Sequence, residues 1–299
     1  TTRAALSSFY QVGKKNKTLA DKVAVDTMRS ELNKINMDGE IVIGEGELDD
    51  APMLYIGEKL GSKKGPKLDI AVDPVEGTNF AAYNLPGALS VIAVAEKSNL
   101  FRAPETYMDK ISANVPIPGI IDLDYTIEKN IHNLAEYMNK QPENITVCLL
   151  DRPRHKKIIK KILDMNVNLK LITDGDVSGA LLVTDTKYKV DLFLGIGGGP
   201  EGVLAASALD TFNCFFQGRF LFESDKDKKR AKNMGIQDLE KKYELQEIIS
   251  GDTIFCATGI TSGDLVSGID VINENFISET LITHKSQGLK KNIKIKQKI

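Results

Sequence analysis

The sequence predicts a layered α/β protein, and three observations carry that prediction. Stretches with apolar residues three and four apart alternate with short apolar runs through most of the chain. The alternation is most regular between residues 128 and 211. Gly, Pro and acidic residues stand at the junctions, where a layered fold needs its turns.

The elements follow in order. Helical spacing over residues 19 to 35 precedes a short strand, "EIVIGE", at 40 to 45. Strands are expected at 68 to 72, ending abruptly at Asp73 and Pro74, and at 88 to 96, where "ALSVIAVAE" reads as a sheet interior. The segment 97 to 127 is richer in Pro, Asn and Asp and poorer in period, and it is expected to join two sheets. Beyond it come helix 128–139, strand 145–150, helix 154–165, strand 169–173, helix 176–184 and strand 190–196. A glycine turn then leads into a helix over 200–211, strands near 213–222 and 253–260, and a final alternation at 280–284. The expected organisation is an N-terminal half, 1–110, and a C-terminal half, 111–299, forming one integrated unit.

Composition narrows the function classes. At 299 residues and 42% hydrophobic content the chain can bury a sizeable core. With 39 basic and 41 acidic residues there is no global field for nucleic acid or an anionic membrane, so phosphate binding has to be local. Lys-rich stretches at 226–232 and 289–298 read as solvated faces. No apolar stretch approaches the roughly 20 residues of a membrane span, and no signal-peptide pattern opens the chain, so a cytoplasmic location is expected. Cys148, Cys214 and Cys256 lie in apolar runs and read as buried thiols. His132, His155 and His284 have no metal-ligand spacing.

The chemistry lies in the acidic residues. Asp21 is expected on the first turn of a helix. Glu45 and Glu47 fall in "GEGELDD", Asp73 and Glu76 in "DPVEGT", and Glu201 in "GGGPEG". Any one of them reads equally well as an acid at a helix N-terminus. Together, beside Gly and Pro, they can be aimed at a common cation, and oxygen donors without His or Cys point to Mg²⁺ or Mn²⁺. Thr78 reads as a helix N-cap, or as a hydroxyl that works with Asp49 to orient an attacking water. The Gly77 and Thr78 amides are candidate phosphate donors. "GIGGGPEG" is not a dinucleotide fingerprint, because Pro200 stands where G-x-G-x-x-G needs its last glycine, and no Walker-type loop occurs. "DRPRH" at 151–155 and "TDGDVSG" at 173–179 both follow expected strands. Arg152 and Arg154 can clamp a phosphate and Asp174 and Asp176 can accept sugar hydroxyls, although a surface Arg pair and an Asp-Gly turn would look the same.

The ordered set "IVIGEGELDDAPMLYIGEKLG", "DIAVDPVEGTN", "APETYMDK", "RPRH", "DGDV", "GIGGGPEGV" and "ATGITSGDL" resembles the class II fructose-1,6-bisphosphatases of bacteria over about residues 17 to 287. "DPVEGT" more distantly resembles the D-P-[IL]-D-[GS]-T motif of the lithium-sensitive, metal-dependent phosphatases. The resemblance implies an αβαβα sandwich with two mixed sheets, and hydrolysis of the 1-phosphate of fructose 1,6-bisphosphate in gluconeogenesis. It implies Mn²⁺ or Mg²⁺ held by Asp21, Glu45, Asp73, Glu76 and Glu201, with Asp49 and Thr78 orienting the attacking water. Substrate contacts would come from Glu76, Gly77, Thr78, Tyr107, Arg152, Pro153, Arg154, Asp174, Gly175, Asp176 and Gly198. Lys17 corresponds to a family lysine, although "GKKNKT" departs from the family's local pattern. Arg152 replaces a lysine in the sugar-phosphate motif, keeping the charge with a bulkier fork. Sedoheptulose 1,7-bisphosphate and inositol monophosphate are the alternative substrates. A catalytically inactive sugar-phosphate-binding protein is the rival from another class. The expected partner is a small sugar bisphosphate, with no nucleic acid or membrane, acting on a homo-oligomer.

Overall fold

A computed structural model describes residues 1–44 and 54–299. The chain forms two compact units, one from Thr1–Arg102 with Ile249–Ile299, the other from Ala103–Ile248. The first unit opens with α1 (Thr2–Phe9), α2 (Lys17–Leu32), β1 (Asp38–Ile43), β2 (Lys59–Leu60), β3 (Lys67–Glu76), α3 (Thr78–Tyr83) and β4 (Leu89–Glu96). The second unit runs through β5 (Tyr107–Ala113), α4 (Ile127–Tyr137), β6 (Thr146–Leu150), α5 (Lys156–Asp164), β7 (Asn168–Ile172) and α6 (Asp176–Leu181). It continues with β8 (Leu192–Gly198), α7 (Gly199–Phe212), β9 (Phe215–Leu221), α8 (Asp225–Asn233), β10 (Lys242–Glu244) and α9 (Leu245–Ile248). The chain then returns to the first unit as β11 (Thr253–Gly259), β12 (Asp270–Ile272), β13 (Asn275–His284) and β14 (Leu289–Lys298). Two mixed sheets with interleaved helices make this the α/β sandwich class that the sequence predicts.

The first sheet runs β12-β13-β11-β4-β3-β1-β2, with β14 on β13. Its β1–β3 pair is parallel and its other pairs are antiparallel. Ala24, Met28 and Leu32 of α2 and Ala4 and Ala5 of α1 share a buried core with Ile70 and Val72 of β3 and Phe276 of β13. The expected end of β3 at Asp73 needs correcting, because the strand continues through Pro74 to Glu76. Proline lacks the amide a central ladder requires. Here β1 pairs with β3 only as far as Ala71, and the register against β4 shifts by a residue between Asp73 and Glu76. The irregularity absorbs the proline and re-aims the two carboxylates.

The second sheet runs β10-β9-β5-β8-β6-β7, with β6 parallel to both β7 and β8 and β5 antiparallel to β8 and β9. The C-terminal ends of β6, β7 and β8 and the start of β5 therefore share one sheet edge, where ligands of open α/β sheets bind. Beneath it lies a core of Ile111, Leu134, Val147, Leu149, Ile162, Leu192 and neighbours. Residues 97 to 127 are not a bare connection, since β5 lies within them. The lysine at its centre, Lys110, is buried, which hides the apolar period. The two Lys-rich stretches prove to be a helix and an edge strand. Only Ala231 of α8 is buried, and Ser224 and Asp227 form a capping box at its start. The lysines of β14 are exposed along the sheet edge, which discourages pairing with another chain.

Candidate active site

In the first unit, the elements that carry Asp21, Asp73, Glu76 and Thr78 pack on one another: α2 lies against β3 and α3. Asn16 caps α2 by accepting from the Leu19 amide at 3.0 Å. The helix therefore begins at Lys17, and Asp21 sits in its second turn rather than its first. The helix dipole acts within the first turn, so it does not account for an acid at Asp21. Asp73 is half-buried and its Oδ1 accepts from the Val75 amide at 3.1 Å. Glu76 is only 4% exposed at the end of β3. Gly77, not Thr78, is the cap of α3, with φ of +77°. A Cβ there would stand 2.8 Å from Phe80 Cδ2, so both the conformation and the space call for glycine. Thr78 is the first helical residue and is half-buried. Lys17 is exposed, with Nζ 6.0 Å from the Tyr83 ring centroid. Glu45 and Asp49 lie outside the described residues.

The donors suit a hard divalent cation in kind, being carboxylates on a buried strand and the helix packed against it. Cys148 and Cys214 are buried, and burial pushes the Cys256 thiol above its ordinary range. Among the described residues no group of three or more His, Cys, Asp or Glu gathers into a metal cage.

The second unit brings its expected residues together along the edge of its sheet. Tyr107 of β5 is the direct cross-strand partner of Gly198 of β8. The Arg154 guanidinium lies over the Tyr107 ring, 4.8 Å from its centroid, and donates twice to the Ile196 carbonyl, at 2.7 and 3.0 Å. Pro153 opens the 3₁₀ turn Pro153–His155 that places Arg154 after β6. Arg152, just before it, donates to the Thr173 carbonyl and lies 3.5 Å from Asp174, which ties it to the β7–α6 turn. Gly175 takes φ of +82° as the cap of α6, and Asp176 is the first helical residue, 8% exposed.

Two glycines allow carboxylates to lie against backbone here. A Cβ on Gly197 would fall 2.0 Å from Asp176 Oδ2, and one on Gly198 would fall 1.8 Å from Glu201 Oε2. Glu201 occupies the first turn of α7 as expected. Burial pushes its carboxyl above the ordinary range, the Lys110 ammonium pulls it back, and the charge of Asp176 adds to the rise.

Sequence reasoning missed two residues here. Lys110, 1% exposed on β5, pairs with Asp176 Oδ2 and donates to the Gly198 carbonyl at 2.7 Å. A charged residue at an inward strand position of "YMDKISA" was the available signal. His155 is fully buried, and its ring is used by the backbone. Nδ1 donates to the Leu150 carbonyl at 2.7 Å and Nε2 accepts from the Ile196 amide at 2.8 Å. Burial lowers its pKa, and this pair of bonds requires the neutral ring. It pins the amide of Ile196, the residue whose carbonyl holds Arg154.

Arginines, carboxylates and glycine turns at the ends of parallel strands define an α/β enzyme class that handles small phosphorylated ligands. The particular family comes from comparison. The chain belongs to the family of bacterial fructose-1,6-bisphosphatases, glpX-encoded, whose family model matches residues 1–297. It is 39% identical to the D-fructose 1,6-bisphosphatase class 2/sedoheptulose 1,7-bisphosphatase of Synechococcus sp. (strain JA-3-3Ab), over 94% of this chain and 88% of that protein. The protein of the same name from Synechocystis sp. (strain ATCC 27184 / PCC 6803 / Kazusa) is 38% identical with the same coverage. Among solved structures, an extragenic suppressor from Pyrococcus furiosus matches with a TM-score of 0.30 and 13% identity, over 60% of this chain and 64% of that one, too low to carry an argument.

Proposed function

We propose that this protein is a metal-dependent phosphomonoesterase that converts D-fructose 1,6-bisphosphate to fructose 6-phosphate and inorganic phosphate. The observation that carries the reading is the clustering of Tyr107, Arg152, Arg154, Asp174, Asp176 and Gly198 along one sheet edge in a chain of this family. Arg154 supplies a planar, permanently charged fork for the phosphate that is not hydrolysed, and Arg152, Pro153 and Tyr107 shape its surroundings. Asp174, Gly175 and Asp176 receive sugar hydroxyls beside Gly198. Asp21, Glu45, Asp73, Glu76 and Glu201 are the proposed ligands of Mn²⁺ or Mg²⁺. Such a cation, when bound, supplies charge neutralisation at the phosphate oxygens.

The chain's own work is to bind, orient and move protons. Glu76, Gly77 and Thr78 meet the phosphate to be released, with the first amides of α3 lacking partners within their helix. Thr78 Oγ1 and the Asp49 carboxylate orient the attacking water. Its oxygen bonds to phosphorus as the bond to the sugar's C1 oxygen breaks, and a proton reaches that oxygen. No phosphoenzyme is needed, since the thiols are buried or half-buried and His155 is held by backbone groups.

A second reading rests on the relatives' names, which pair fructose 1,6-bisphosphatase with sedoheptulose 1,7-bisphosphatase. On the proposed reading the enzyme is cytoplasmic, serves gluconeogenesis and works as a homo-oligomer. Among the described residues no helix is long and apolar enough to cross a membrane. Kinship with the lithium-sensitive phosphatases is part of the same reading, and Li⁺ inhibition of phosphate release tests it. The decisive measurement is phosphate release from fructose 1,6-bisphosphate, sedoheptulose 1,7-bisphosphate and inositol 1-phosphate, with Mg²⁺ and Mn²⁺ in turn. A faster rate on inositol 1-phosphate, or full activity in a folded Asp73→Asn variant, would defeat the reading.

A further inference from the structure

Lys110 is an expensive residue to place where it stands. Its side chain is 1% exposed, on a strand whose direct partners at that position are Gly195 of β8 and Gly218 of β9. It faces α7, where a Cβ on Gly202 would meet Met108 Sδ at 2.5 Å and Lys110 Cδ at 3.3 Å, so glycine leaves room for both side chains. An isolated buried ammonium costs far more than an apolar side chain of the same length. Its charge is met by Asp176 Oδ2, and a second donor is spent on the Gly198 carbonyl at 2.7 Å. The other Asp176 oxygen, Oδ1, is buried and has no hydrogen-bond partner among the described residues. A carboxylate held by one oxygen, with the other buried and unsatisfied, leaves an acceptor for a donor that the protein itself does not supply.

We infer that Lys110 is a positioning residue: it fixes Asp176 and the Gly198 carbonyl so that Asp176 Oδ1 accepts a sugar hydroxyl of the bound sugar phosphate. This rests on the function proposed above for the edge residues of the second sheet, and assigns a role to a side chain buried beneath that edge. Lys110 is not itself a contact, since its bonds run to protein atoms. Gly197 belongs to the same device, because any Cβ there would displace the carboxylate that Lys110 holds.

The experiment measures fructose 6-phosphate binding by calorimetry, and KM and kcat for phosphate release, in the wild type, Lys110→Met, Asp176→Asn and the double variant. A residue acting through Asp176 should weaken fructose 6-phosphate binding and raise KM at least about tenfold, with kcat within about threefold. The double variant should bind no worse than Asp176→Asn alone, because the pair works as a unit. Unchanged affinity in Lys110→Met, or losses that multiply in the double variant, would overturn the inference. Should Lys110→Met leave its carboxylate too exposed to repulsion to fold, the charge-neutral double variant is compared with Asp176→Asn. Equal affinity supports the inference, and a further tenfold loss overturns it. Wild-type protein that binds fructose 6-phosphate but releases no phosphate defeats the proposed activity and leaves this inference standing. Wild-type protein that does not bind fructose 6-phosphate defeats the inference.

Discussion

Replacing Gly197 with alanine should unlatch the buried carboxylate without touching any charge. The added Cβ would sit 2.0 Å from Asp176 Oδ2, 2.5 Å from its Cγ and 2.8 Å from Oδ1. Ordinary contact needs about 3.4 Å or more, so the carboxylate must retreat by roughly 1.4 Å. That would be cheap for a free side chain, but here Oδ2 is paired with a lysine confined beside Gly202. Overpacking alone costs about 1–3 kcal/mol, and breaking a buried ion pair costs about 3–5 kcal/mol. A loss near 3 kcal/mol is therefore expected, and at about 2–4 °C per kcal/mol for a domain of this size Tm should fall by roughly 6–12 °C. Differential scanning calorimetry measures it. The control is Gly197→Ala combined with Asp176→Ala, which removes the obstructed carboxylate. The double variant should be more stable than the summed single effects by about 2 kcal/mol. A Tm for Gly197→Ala within 2 °C of wild type, or strict additivity in the cycle, would refute the reasoning.

Glu40 offers a test through pH. Hydrogen bonds from Lys59 and then Arg102 pull its carboxyl down from 4.5 to about 2. Because the folded value is the lower one, the stabilisation is complete above the unfolded pKa and is lost as pH falls through about 2. The full displacement corresponds to about 3 kcal/mol, but Lys59 and Arg102 are 49% and 44% exposed, so about 1 kcal/mol is expected after solvent screening. Glu40→Gln should lower urea-derived stability by that amount at pH 7, with the loss shrinking toward zero as pH falls through about 2; a loss that does not shrink would contradict the assignment. Gly77→Ala forces a side chain into the left-handed region against Phe80, and by displacing Thr78 should cut kcat for phosphate release by about 10- to 100-fold. A steady-state assay showing kcat within twofold of wild type would remove Thr78 from the reaction. Arg154→Lys loses both the fork to Ile196 and the stack on Tyr107, and KM for the bisphosphate should rise about tenfold; an unchanged KM would move the second phosphate elsewhere.

Much of the site was legible because its signals are local. "GGGPEG" reads as a strand, a turn and a helix start bearing Glu201, and β8 and α7 meet there. "DPVEGT" announced a special strand end, yet it concealed that the strand continues to Glu76, because whether a proline ends a strand depends on which neighbours need its missing amide. Asp21 lies a turn deeper in its helix than the apolar stripe predicts for a similar reason: Asn16 caps the helix earlier.

The sequence by itself determined the alternation of helix and strand, the family, Glu201 at a helix start and Arg152 and Arg154 just after a strand, since periodicity, turn chemistry and motif order are read over a few residues at a time. Only the tertiary structure decided that β11 to β14 return to the first sheet, that Tyr107 faces Gly198 across a strand pair, and that a lysine hidden in β5 holds Asp176. Each is a pairing between residues far apart in the chain. Its energy depends on burial and on which partner arrives, and no local pattern records either.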